Sequence, residues 1–137
     1  MEPQEDAIVD IPEHRIRYFG TSGKMLLPCP ATIATWIKKI PEHHLMTTDL
    51  LRKKLTEQFN VQGTCPVTTQ KALQAVAHNE SAQVAYWRMI KKNGELIASF
   101  PGGVEDHAAR LQKEGFIIDT SGKHPKIQDF AAHLAQY

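Results

Sequence analysis

Apolar positions recur at helical spacing in several stretches of the chain. Ile33, Trp36, Ile37 and Ile40 share one face of a helix that runs from Pro30 to Lys39 and is closed by Pro41. Leu51, Leu55 and Phe59 predict a second helix over 49–59, capped by Thr47 or Thr48 and with Asp49 near its positive end. Gly63 and Pro66 break the pattern. Ala72, Leu73, Val76 and Ala77 then predict a third helix to about His78, capped by Thr68 or Thr69. Thr69, Gln70, Lys71, Gln74 and His78 fall outside its apolar face. Val104, Ala108 and Leu111 point inward from a helix over 104–113, which Gly115 ends in the left-handed conformation. Ile127, Phe130, Ala131 and Leu134 predict a last helix from Lys126 to Ala135.

Strand signals are shorter. Arg15 to Phe19 alternates charge and bulk and reads as a strand. Val84 to Ile90 is rich in β-formers, and Leu96 to Phe100 is its return partner. The Asn93-Gly94 turn between them is a strong hairpin signal. Pro101-Gly102-Gly103 makes a sharp bend. A helix-turn-helix followed by a hairpin is a winged helix, so the expected fold is a mainly α α/β domain with a small β-hairpin wing. Residues 1–14 are polar and expected to be poorly ordered. Residues 15–119 form the domain. Residues 120–137 form a C-terminal extension with a helix.

Length and composition set limits around that picture. At 137 residues and 42% hydrophobic, one domain with a real core is expected. The net charge of +1 shows no global basic excess, so a DNA-binding face must come from local arrangement. No apolar run approaches the roughly 20 residues of a membrane span. The first ten residues are acidic and lack the basic start of a secretory signal. Cytoplasmic localisation, a monomeric state and no membrane partner are the resulting expectations.

Little else in the chain carries chemistry. Cys29 and Cys65 are too few for a disulfide framework. Cys29, between two prolines, reads as packing. Cys65 precedes a helix, where a thiol pKa can fall, but an idle turn cysteine is the ordinary reading. His43-His44 and Glu105-Asp106-His107 lack zinc-ligand spacing, so no metal is expected. Gly20-Thr21-Ser22-Gly23-Lys24 lacks the spacing of a phosphate cradle. Its Thr-Ser-Gly-Lys recurs at 120–123 as common turn residues. No cofactor is expected.

One ordered set of short motifs resembles a known family. Met46-Thr47-Thr48, Ala75 to Asn79, Tyr86-Trp87-Arg88-Met89-Ile90, Asn93-Gly94, Pro101-Gly102-Gly103 and Leu111 to Gly115 follow one another as in the methylguanine-DNA methyltransferase family. From Gly20 to Phe116 the chain looks closest to the alkyltransferase-like proteins, which lack the reactive cysteine. The resemblance implies a winged-helix DNA-binding domain that flips an alkylated base into a pocket. It also implies what has changed. The family's Pro-Cys-His-Arg becomes Ala85-Tyr86-Trp87-Arg88, so Tyr86 stands at the acceptor position and Trp87 at the activating histidine. A tyrosine with an ordinary pKa of about 10 is a poor alkyl acceptor at neutral pH. Thr48 takes the place of the tyrosine that rotates the base's phosphate. Gln70 or Lys71 takes the place of the arginine that fills the emptied stack. Phe100 replaces a tyrosine. Asn79 and Glu114 remain, at positions that in the family brace the loop and orient the histidine; here Glu114 is expected to pair with Arg88 or to face solvent.

The expected function is non-enzymatic binding of double-stranded DNA, with recognition of an alkylated or modified guanine by base flipping. Thr48, Thr69, Gln70, Lys71, Gln74, Lys91 and Lys92 are the expected DNA contacts. Asn79, Tyr86, Trp87, Arg88, Phe100 and Glu114 are the expected base pocket. A repair-protein partner fits that role. A second reading, from the near-neutral charge and the lost tyrosine and arginine, is a degenerate winged helix serving protein–protein contact. A third is a transferase acting through Cys65.

Overall fold

The computed structural model of the chain describes residues 6–79 and 83–134. In order, it contains β1 (Ala7–Asp10), α1 (Ile16–Phe19), β2 (Lys24–Leu27), α2 (Pro30–Lys38), β3 (Met46–Thr47), α3 (Thr48–Gln58), β4 (Gly63–Thr64), α4 (Pro66–Ala77), β5 (Met89–Ile90), α5 (Gly103–Lys113), β6 (Ile118–Asp119) and β7 (Lys126–Ile127). Three small sheets result among the described residues. β2 is the centre of the first, antiparallel to β1 and parallel to β4. β3 pairs with β5 in parallel, and β6 pairs with β7 antiparallel. No helix among the described residues is long and apolar enough to cross a membrane.

The long helices form where the apolar spacing places them. α2 buries Ile33, Trp36 and Ile37. Its start is capped from a distance: the Asp6 carboxylate accepts from the Cys29 N–H at 2.8 Å and the Thr32 hydroxyl at 2.7 Å. Thr47 caps α3 through its hydroxyl, which accepts the Leu50 N–H at 3.3 Å, and the helix buries Leu51 and Leu55. These faces meet those of α4 in one core, which also takes in Tyr86, Met89 and Phe100. A second core collects Leu45, Ile90, Leu96, Leu111, Phe116 and Ile127. Trp87 packs against both.

Five expectations need correction. Arg15 to Phe19 is not a strand but a 3-10 turn followed by α1, which ends at Gly20 with φ 75. Ile16 and Phe19 sit three apart and pack together against Ile11, Met25 and Cys65; helical spacing outweighed the charge alternation. The segment expected to be poorly ordered carries β1, because Val9 and Ile11 have that same cluster to bury in; residues 1–5 lie outside the described residues. α4 starts earlier than Thr68. Pro66 occupies its first position, where a missing N–H costs nothing, and Cys65 is the cap residue.

The hairpin wing is replaced by a tight turn. The Lys91 N–H donates to the Glu95 carbonyl at 3.0 Å, and the Gly94 N–H to the Lys91 carbonyl at 2.9 Å, with Gly94 at φ 88. Beyond it no return strand pairs with Met89-Ile90. Both of those side chains are fully buried, and their backbone pairs with β3 instead. The Leu96 N–H goes to the Pro125 carbonyl at 3.3 Å and the Ile97 N–H to His107. The C-terminal helix is likewise absent. Ile127 enters the second core from β7, Asp129 takes a left-handed φ of 55, and only a 3-10 turn follows over Phe130–His133. Ala135 lies outside the described residues. This segment is part of the packed body, since the Leu45 N–H donates to the His133 carbonyl at 2.8 Å.

Candidate nucleic-acid interface

Two concavities lie along α4, one at its C-terminal end and one at its earlier turns. The larger, about 690 Å³, is lined among the described residues by the end of α4 (Val76 to Asn79), by Gln83 to Arg88, and by Pro101 and Arg110. The smaller, about 220 Å³, lies between the start of α3, the outer side of α4 and the turn at Lys91.

The wall of the larger pocket is built on one carboxylate. Glu114, at the end of α5, accepts from the Trp87 indole N–H at 2.5 Å and from Arg88 Nε at 3.0 and 3.2 Å. It also accepts the His43 N–H at 3.0 Å. Burial pushes its pKa up, but the donors from His43, Trp87 and Arg88 together hold it below the ordinary carboxylate range. Arg88 spends a further donor on the Ile40 carbonyl at 2.9 Å. Trp87 and Arg88 are therefore locked by charge-assisted hydrogen bonds rather than held by packing alone.

Aromatic stacking completes the wall. Tyr86 meets Trp87 edge-on at 5.3 Å and Phe100 edge-on at 5.1 Å. Arg110, tied to Asp106 at 2.9 Å, places its guanidinium 5.2 Å from the Trp87 ring centre and 5.6 Å from that of Tyr86. His107 supports the loop from behind. Its Nδ1 accepts the Ile97 N–H at 3.1 Å and its Nε2 donates to the Trp87 carbonyl at 2.7 Å. Burial dominates its titration and pushes its pKa down to about 4, so the ring is neutral near pH 7.

The structure sorts the expected residues. Asn79, Tyr86, Trp87 and Arg88 come together around the larger pocket. Phe100 and Glu114 do not line it: Phe100 backs Tyr86 within the core, and Glu114 anchors the loop. Thr48, Gln70, Gln74 and Lys91 line the smaller cleft. Thr69 reaches the cleft but is only 2% exposed, because its hydroxyl donates to the Cys65 carbonyl at 2.7 Å; the expectation of a groove-facing side chain is corrected. Gln74 is engaged with the Ser99 hydroxyl. Lys71 and Lys92 are exposed and line neither concavity.

Three residues escaped the sequence reading. Arg110 was invisible because only the crossing of α5 over the Tyr86 loop brings it to the pocket. His107 sits at i+3 from Val104 and i−4 from Leu111, so its place on the apolar face was the available signal. Arg52, on the partly polar side of α3, lines the smaller cleft. Cys65 is buried, and its sulfur accepts from Arg15 Nη1 at 3.0 Å and the Thr68 hydroxyl at 3.4 Å. Burial pushes its pKa up, but these and neighbouring backbone hydrogen bonds lower it overall. It belongs to the small cluster with Ile11 and Met25 and lines neither concavity. No group of three or more metal-ligating side chains occurs among the described residues.

No protein-family model matches the sequence, and no curated protein matches it. Two solved structures share its fold. S. pombe Atl1 in complex with damaged DNA containing O6-carboxymethylguanine superposes with a TM-score of 0.58, and S. pombe ATL in complex with DNA with a TM-score of 0.59. Each is 15% identical, over 79% of this chain and 94% of the other. The likeness agrees with the resemblance carried by the motifs between Met46 and Gly115: this chain has the fold of the S. pombe alkyltransferase-like protein Atl1.

Proposed function

We propose that the protein binds double-stranded DNA and holds an alkylated or otherwise modified guanine, flipped from the duplex, in the pocket beside Tyr86, Trp87 and Arg88. The observation that carries the reading is that pocket. It is about 690 Å³, walled by aromatic rings with a guanidinium across them, and set at the end of a helix in a fold shared with two DNA complexes. A pocket of that size and character suits a stacked base. Phosphate contacts supply most of the affinity, so binding weakens with salt.

We propose further that the alkyl group is bound and not transferred. Tyr86 stands at the acceptor position, its ring packed between Trp87 and Phe100. The neighbouring indole is committed to Glu114 as a donor and offers no base.

The test is a gel-shift comparison of plain and O6-alkylguanine duplexes at two salt concentrations, with mass spectrometry of the protein afterwards. Preference for the modified duplex, stronger binding at low salt and an unchanged protein mass are expected. Equal binding of both duplexes would remove the modified-base reading, and binding of neither would favour the protein-partner reading. A near-stoichiometric mass gain of one alkyl group would overturn the non-transferring reading and direct peptide mapping to Cys65.

A further inference from the structure

On the reading above, the pocket explains selectivity for a base but leaves open what grips the backbone. Thr48 and Gln70 both open onto the same smaller cleft. Arg52 and Lys91 enter that cleft from opposite sides, from α3 and from the tight turn. No carboxylate lines it. Among the described residues, neither cation has an acidic partner: the ion pairs are made by Lys24, Lys54, Arg88 and Arg110.

Arg52 is held in place at both ends. Its carbonyl accepts the Thr56 hydroxyl at 2.8 Å and the Thr64 hydroxyl at 3.2 Å, and its Nη1 donates to the Tyr18 hydroxyl at 2.7 Å. A guanidinium has five N–H donors, so most of its fork stays free for an oxyanion. Lys91 is carried by a turn closed at 3.0 and 2.9 Å. The Thr48 side chain adds a hydroxyl at the first turn of an 11-residue helix, where the positive dipole end favours an anion. Leu73 and Ile97 supply apolar surface beside these groups, as a sugar-linked phosphate would meet.

We propose that Arg52 and Lys91, with Thr48, form a clamp for one phosphodiester of the DNA backbone, and that Tyr18 is a positioning residue for Arg52. The clamp ties α1, outside the helix-turn-helix, to DNA binding.

The experiment is fluorescence anisotropy with plain and O6-methylguanine duplexes across a salt series, with the melting temperature of each variant. Arg52→Gln and Lys91→Gln should each weaken both duplexes by the same factor, about fivefold, and lower the salt slope by about one. The ratio between duplexes should not change, which separates the clamp from the pocket. Arg52→Lys should keep the slope, Tyr18→Phe should lose a smaller part of the affinity, and Lys123→Gln should bind as wild type. Lys91 is exposed, so its variant remains informative even if Arg52→Gln loosens the fold. Wild-type affinity and slope in both the Arg52 and Lys91 variants would overturn the clamp while leaving the DNA reading intact. Should the wild type bind neither duplex, an NMR titration with dimethyl phosphate decides: shifts gathered on Thr48, Arg52 and Lys91 support the clamp, and their absence overturns it.

Discussion

The wall of the aromatic pocket, at the C-terminal end of α4, and the smaller cleft, along the earlier turns of the same helix, are built in opposite ways. In the wall, both arginines are paired: Arg88 with Glu114 and Arg110 with Asp106. In the cleft, Arg52 and Lys91 face no acid. Paired charges fix geometry and add little long-range attraction; unpaired ones attract phosphate but specify no base. On the proposed function, the difference separates two tasks within one fold. A rigid wall can distinguish one base from another, and a cationic cleft can hold any duplex.

That contrast breaks first where the wall is most buried. Tyr86 is 8% exposed and packed among core side chains, so Tyr86→Ala should cost about 3–4 kcal/mol through the cavity left behind. A fall in melting temperature of about 10 °C is expected. An unchanged melt would show that the ring serves only the pocket. Tyr86→Phe is the gentler probe of base recognition, because it keeps the stacking surface.

Acid should loosen the wall before it affects the cleft. The folded pKa of His107 is about 4, against 6.5 for the free side chain, so the unfolded chain takes the proton first. The neutral ring's contribution is fully present above pH 6.5 and is lost as pH falls toward 4, about 3 kcal/mol across the window. Urea denaturation at pH 7, 5.5 and 4.5 measures it. His107→Gln should flatten the dependence; the same steep loss in the variant would assign it to other groups.

Glu114 sharpens the contrast at lower pH. Its depressed folded pKa means that its contribution is present above about pH 4.5 and lost as pH falls through the folded value. Glu114→Gln keeps the shape and removes the charge. It should cost about 1–2 kcal/mol at pH 7 and reduce selectivity for modified DNA more than affinity for plain duplex. Equal losses on both duplexes would merge the wall and the cleft into one binding surface.

The smallest effect is expected on the exposed side of α4. Lys71 lines neither concavity, so Lys71→Ala should leave folding intact and lower DNA affinity by at most about 1 kcal/mol, with a salt slope reduced by about one. Gln70→Ala, at the rim of the cleft, should weaken binding without changing the slope. Full wild-type binding in both would move the protein–DNA contact away from α4.

Much of the architecture was legible because it rests on local rules. Helical spacing at Ile33-Trp36-Ile37 and at Leu51-Leu55 places two helices within about one residue of their observed ends, that at Leu73-Val76 places a third whose start lies three to four residues earlier than expected, and the motif order from Met46 to Gly115 anticipated the fold shared with S. pombe Atl1. The glycine at 115 closes α5 in the left-handed region, at φ 97, as its position after Lys113-Glu114 requires. What failed were short segments whose partners lie far away in sequence. Met89-Ile90 pairs with Met46-Thr47 and not with the segment after its own turn, and Ile127 is drawn into the second core from a strand where spacing suggested a helix. Burial of a few side chains outweighs propensity in elements of two to four residues.

The sequence alone determined the four long helices α2 to α5 and that position 86 is a tyrosine, since periodicity and residue identity need no partner. Only the tertiary structure decided how that position is used. Glu114 joins Trp87 and Arg88 across 26 to 27 residues, Arg110 arrives over the rings from α5, and Arg52 meets Lys91 across 39. Hydrogen bonds and charge pairs act over a few ångströms, and a linear chain does not state which of its distant residues will come that close until its cores have packed.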